Sequence, residues 1–195
     1  IMNYIGNKYP DTVAGRDGNG NVTGIKSLAD DPLVNFITTV PVNSDQKARI
    51  WGWEFAAQHS FWDTGFGAIL NYTIVNSDTR YDNTQRYTVT QFAVNGVSDS
   101  ANAVVYYDKN GIQFRVAYNW RDEFLSGYGL DPYYIEAYGQ FDVSASIEIK
   151  KGLTIFPEGI NVTNADRRGH MRNDQTVFFA APGYARLAAG ARFSF

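Results

Sequence analysis

Cysteine is absent from the 195 residues. A disulfide scaffold and a thiolate metal site are therefore excluded. Histidine is scarce as well, with only His59 and His170, and neither sits in a nucleophile motif. Asp142 and Glu148 share a strand face but lie about 20 Å apart by strand rise, too far for a glycosidase pair. No catalytic constellation emerges, and no cofactor or metal is expected. The net charge is only −3, with no basic stripe, so the chain lacks the electrostatic footprint of a nucleic-acid binder. Long apolar runs are missing too, and no window approaches the ~20 residues of a membrane-spanning helix. A membrane barrel survives that test, because its alternating strands give a weak hydropathy signal. No leader precedes Ile1, so the chain is expected to begin inside a longer protein.

What is present is finely interleaved. The chain is 44% hydrophobic, yet its mean hydropathy is −0.32. Aromatics make up 15%. From Tyr184 to Phe195 one face carries Ala185, Leu187, Ala189, Ala191, Phe193 and Phe195, and the other carries Tyr184, Arg186, Gly190, Arg192 and Ser194. A strict period of two specifies a strand. The pattern recurs in Ala137–Lys150, Ile112–Arg121, Trp51–Phe61 and Phe66–Tyr72. Two segments are less regular. Ser100–Tyr107 carries Val104 and Tyr106 on the otherwise polar face, and Leu153–Val162 changes face near Pro157-Glu158-Gly159, which reads as a bulge or kink.

The connections alternate in length. Trp62–Gly65, Asp108–Gly111 and Lys150–Gly152 read as tight turns. Long polar loops are expected over 78–99, 122–135 and 164–182, with another over 6–32. An outer-membrane barrel has this asymmetry, with short periplasmic turns and long outer loops, whereas a soluble sandwich has no reason for it. The last strand then runs toward the periplasm. Seven complete strands are expected, with Ile1–Ile5 as the end of an eighth. The apolar rows end in Trp51, Trp53, Trp62, Tyr72, Tyr107, Tyr118, Trp120, Phe193 and Phe195, as aromatic belts require. His59, near a tight turn, is placed at the interface. The opposite rows carry Arg, Asp, Glu, Gln and Lys, which suits a wet or plugged lumen.

Several stretches resemble TonB-dependent receptors. The aromatic final residue, Phe195, resembles an outer-membrane assembly signal. Gly159-Ile160-Asn161-Val162-Thr163-Asn164 resembles the family's penultimate-strand motif, and Pro182-Gly183-Tyr184-Ala185-Arg186 resembles the start of the last strand. Gly52-Trp53-Glu54 and Asn71-Tyr72-Thr73 resemble an earlier hairpin, and the four motifs occur in the family's order. The resemblance implies an all-β, antiparallel transmembrane barrel of about 22 strands, of which residues 1–195 form the C-terminal part. It also implies that the N-terminal plug and the TonB-contacting segment lie elsewhere.

Candidate ligand-binding residues fall in the long loops. Arg121, Asp122, Tyr128, Asp131, Tyr133 and Tyr134 form one group, in which aromatics and carboxylates suit sugar stacking and hydroxyl binding as well as loop packing. Asp166, Arg167, Arg168 and His170, with Arg172, form another, where guanidinium forks suit an anionic or hydroxylated ligand and equally suit ion pairs between loops. Asp17–Thr23 has the alternate oxygen spacing of a Ca²⁺ loop, but Leu28 stands at position twelve, so a Gly/Asn-rich loop is the preferred reading. Three Asn-x-Thr matches to a glycosylation pattern are attributed to chance.

The expectation is a receptor in the bacterial outer membrane that imports a scarce nutrient: a carbohydrate, a ferric siderophore or a vitamin. The aromatic loops lean it toward carbohydrate. Its partners would be membrane lipid, the rest of the barrel and plug, the TonB energy complex and the nutrient, with no nucleic acid. The rivals are a passive porin-like channel, a soluble carbohydrate-binding β-sandwich and an outer-membrane enzyme.

Overall fold

The computed structural model describes residues 2–25 and 45–194. Phe195 and Leu28, which the sequence singled out, lie outside the described residues. The chain divides into two compact units, Ile1–Asp45 and Gln46–Phe195.

The first unit corrects the sequence reading. Its start is a short helix, α1 (Met2–Lys8), rather than a strand end. Much of the expected loop over 6–32 is an antiparallel hairpin of β1 (Val13–Arg16) and β2 (Val22–Ile25). Asp17 organises its turn. Its Oδ1 accepts the Asn19 and Asn21 amides at 2.9 and 2.8 Å, and Oδ2 accepts Asn21 Nδ2 at 3.2 Å. The Asn21 backbone first, then the Asn21 side chain, hold this carboxyl below its usual range. The carboxylate caps its own turn, the role expected of Asp in such a loop.

The second unit is dominated by seven strands: β3 (Ile50–Ser60), β4 (Phe66–Ser77), β5 (Ser100–Lys109), β6 (Ile112–Arg121), β9 (Tyr138–Lys150), β10 (Leu153–Ile160) and β13 (Arg186–Phe193). They form one antiparallel sheet in the order β13-β10-β9-β6-β5-β4-β3. Chain neighbours are sheet neighbours throughout, as the alternating turns predicted. Each short turn contains a glycine at positive φ: Gly65, Gly111 and Gly152. Asn110 at φ 54° and Gly111 at φ 73° make the two-residue hairpin that matches strand twist.

The register carries the alternation from strand to strand. Ala57, Leu70, Ala103, Tyr118 and Phe141 are directly opposite one another in sequence across five strands. Gly159 and Leu187 extend the same face through Val143. Among the described residues of this unit, no layer covers this face. Trp53 is 68% exposed, Leu70 57%, Val105 57% and Leu187 78%. Contiguous apolar area on that scale marks a membrane or partner surface. At the short-turn end, His59 sits edge-on to Phe61, with ring centroids 4.9 Å apart, inside an aromatic group that includes Trp62.

The opposite face is polar. Asn71, Asn102, Asn119 and Gln140 form a row across β4, β5, β6 and β9. Asn102 Nδ2 donates to Asn119 Oδ1 at 2.6 Å, and Gln140 Nε2 donates to Asp142 Oδ1 at 2.7 Å. Val104 and Ala117, paired on this face, are buried. This resolves the irregular reading of β5: Val104 is a small apolar inlay in a polar wall. Tyr106, also on this face, leans over Gly67, where a Cβ would collide with its ring.

The expected kink at Pro157 is displaced. The register toward β13 is continuous from Leu153 to Ile160. Toward β9 the irregularity falls between Leu153 and Thr154, and the ladder skips Phe156 and Pro157, because proline has no N–H to donate. β10 also ends at Ile160, two residues short of the expected strand end.

Opposite outcomes are expected for arginine on the two faces of this sheet. In lipid vesicles, Val105→Arg on the bare apolar face should cost about 2–4 kcal/mol of unfolding free energy. Gln113→Arg on the polar face should change it by less than about 0.5 kcal/mol. Equal costs in urea titrations of the full-length protein would refute the assignment of faces.

Candidate functional site

Of the three long connections of this unit, 78–99 carries no helix or strand, as expected, and the other two depart from the loop reading. They carry the short strands β7 (Phe124–Tyr128), β8 (Pro132–Ile135), β11 (Arg167–His170) and β12 (Val177–Ala181). These pair as a second sheet in the order β12-β11-β8-β7. The sequence reading missed it because each strand is only 4 or 5 residues long, although the β-prone run Tyr133–Ile135 was a visible signal.

Most of the candidate ligand residues hold this loop sheet together. Tyr128 Oη donates to the Ala93 carbonyl at 3.2 Å and accepts the Ala93 amide at 3.1 Å. The Tyr133 ring packs on Phe178 at 5.3 Å. Tyr134 Oη donates to Asn83 Oδ1 at 3.2 Å, and its ring stacks on His170 at 5.3 Å and 17°. That stack follows from register, since His170 lies opposite Tyr134. Asp131 lies 3.4 Å from Arg172 Nε. Arg172 is the larger find. It also donates to the carbonyls of Asn83 and Gln85 and to Tyr81 Oη, so one guanidinium joins all three long connections.

Asp166 has a different task. Its Oδ1 accepts the Gly183 amide at 2.8 Å, and Asn164 Oδ1 accepts the Ala185 amide at 2.8 Å. Asn161, at φ 53°, clamps Ala165 through both its carbonyl and its amide. The motif read as a strand thus leaves β10 after Ile160 and becomes a turn that ties the end of β10 to the approach of β13.

His170 is buried. Its Nδ1 lies 2.6 Å from the Met171 carbonyl, which only accepts, so Nδ1 carries a proton. Nε2 lies 3.1 Å from the Glu123 carboxylate. A neutral ring in that tautomer would turn a lone pair toward a carboxylate. Burial pulls the imidazole pKa down, but the bonds to Glu123 and Met171 and the charges of Glu123 and Glu136 together raise it above 6.5.

Four candidate residues meet elsewhere. Arg121, Asp122, Arg167 and Arg168 line a groove of about 450 Å³ between the upper polar face and the loop sheet, together with Phe124, Glu136, Tyr138 and Gln140. That volume is within the range of small-molecule sites. Arg121 lies over Phe124, 3.8 Å from the ring centroid, while its Nε donates to Ser98 Oγ and its Nη2 to the Gly96 carbonyl. Arg167 lies over Tyr138 at 4.8 Å. Arg168 Nε is 3.2 Å from Glu136 Oε1, an otherwise unbonded buried atom. Glu136, Phe124, Tyr138 and Gln140 were not among the sequence candidates.

A seven-stranded meander with a bare apolar face, a polar opposite face and a folded cap at its long-connection end is the geometry of an outer-membrane barrel wall. A family model described as TonB dependent receptor-like, beta-barrel, matches residues 3–165. The chain belongs to this family. It is an antiparallel barrel portion of a TonB-dependent receptor of the bacterial outer membrane. Members are transporters rather than enzymes, and they work with TonB and a small-molecule substrate. No curated protein matches the chain, and no solved structure does. The family match sets the soluble sandwich aside.

The raised His170 pKa has a sign. The charged ring is favoured in the folded state, so its contribution is complete below the unfolded value near 6.5 and is lost as pH rises through the folded value. The ring protons of His170 should titrate above 6.5 by NMR, and in Glu123→Gln the midpoint should fall. An unchanged midpoint in the variant would remove the ion pair from the account.

Proposed function

We propose that this chain is the C-terminal wall of a barrel of about 22 strands whose plug is supplied by the preceding part of the same protein. The whole receptor imports a scarce small nutrient across the outer membrane, driven through TonB. The carrying observation is the uncovered apolar face, continuous across the sheet and backed by a polar wall. In hydrocarbon every backbone polar group needs a partner, and β3 and β13 end the sheet with no further strand paired to them among the described residues. Pairing with further strands of the same barrel satisfies both. The polar face then lines the lumen, and the loop sheet contributes to the recognition surface outside.

A carbohydrate, a ferric siderophore and a vitamin all fit a receptor of this kind. Tyr128 and Tyr134 are engaged in loop packing, so the lean toward carbohydrate no longer rests on these two rings. The ligand contacts are assigned instead to the groove around Arg121 and Arg167.

The full-length protein should fractionate with outer membranes and migrate as a compact band in SDS that shifts on boiling. The isolated 195 residues should show no such band. A soluble, cooperatively folded 195-residue chain would overturn the reading.

A further inference from the structure

The groove combines features that the loop packing does not use. Three guanidiniums line it, against the carboxylates of Asp122 and Glu136. Glu136 pairs with Arg168, which leaves Arg121 and Arg167 facing a single carboxylate. The Arg167 side chain makes no ion pair or hydrogen bond among the described residues, and its guanidinium lies over the face of Tyr138. Arg121 is fixed by Ser98, Gly96 and Phe124, yet Nη1 remains uncommitted. Aromatic faces hold both guanidinium planes in place, so little rotamer freedom is lost when they bind.

We propose that this groove is a subsite for a small hydroxylated carboxylate, such as a uronic acid or a hydroxy acid. Arg121 and Arg167 bind the carboxylate, which matches the planar fork of a guanidinium. Asp122 accepts a ligand hydroxyl. Asn119 Nδ2 and Gln140 Nε2, which also line the groove and each donate once to Asp142, have a second amide hydrogen for a ligand hydroxyl. A dianion such as phosphate fits less well, because Asp122 would face its second charge. A neutral sugar leaves the two guanidiniums unanswered. The subsite rests on the receptor reading above and assigns ligand chemistry to it.

The test is calorimetric titration of the purified full-length receptor with galacturonate, with glucose and inorganic phosphate as comparison probes. Galacturonate should bind more tightly than either. Arg167→Ala should weaken it roughly 10- to 100-fold, the usual loss for hydrogen bonds to a charged group. Arg167→Lys should recover part of the loss, and Lys150→Ala, at a short turn, should bind as the unaltered protein does. The heat-modifiable band reports whether each variant is folded. Equal binding of glucose and galacturonate, tighter binding of phosphate, no binding of any probe, or an unaffected Arg167→Ala in a folded receptor would each overturn the subsite. Co-purification with the periplasmic domain of TonB and outer-membrane fractionation test the receptor reading separately. Their failure with acid binding intact would reject the receptor and keep the groove.

Discussion

A backbone inside hydrocarbon has no water to bond with, so each N–H and C=O must find a protein partner. That constraint shapes the rest of this molecule. It selects strands in an uninterrupted ladder, and it makes register strict, because a slip of one residue would turn every lipid-facing side chain into the lumen. The register from β3 to β9 runs without a shift. The irregularity that does occur, beside Leu153, sits at a short turn where the ladder is already ending. Pro157, which cannot donate, is accommodated by a gap toward one neighbour while the ladder toward β13 continues through it.

The membrane strands were legible because the same constraint writes a period of two into the sequence. Their order and the short turns with Asn110-Gly111 and Gly152 could be read directly, whereas β10 and β13 are shorter than the alternation suggested. Tertiary packing is written less openly. The N-terminal helix over Met2–Lys8 lies in a stretch without strong periodicity, where local preference decides little. The loop sheet comes from short strands distant in sequence, and its pairing of Ile135 with Gly169 is a contact that no local pattern announces. The turn at Asn161 misled because Gly-Ile-Asn-Val-Thr has strand composition, while the positive φ that ends the strand is a conformation Asn tolerates better than most side chains.

The candidate ligand residues show the same limit in chemical terms. Arginine, tyrosine and carboxylates bind small molecules and bind one another through the same forks and faces, so residue type alone leaves both roles open. Partner satisfaction separates them. Arg172 directs its guanidinium at two backbone carbonyls, a phenol and a carboxylate, which together take four of the five N–H groups of an arginine. Tyr134 is stacked and hydrogen-bonded, and Asp166 holds Gly183. These groups make three long connections behave as one folded cap.

That rigidity is what gives the groove its chemistry. A guanidinium on a mobile loop would lose side-chain entropy on each encounter with a ligand. Arg121 is anchored at a strand end and over a ring, and Arg167 starts a strand whose other end is pinned through His170 to Glu123 and Tyr134. Asn119 and Gln140 lie in both the groove and the amide row on the polar wall. The cap and the wall therefore share residues, and a ligand held by the arginines would already touch the surface that leads along the barrel.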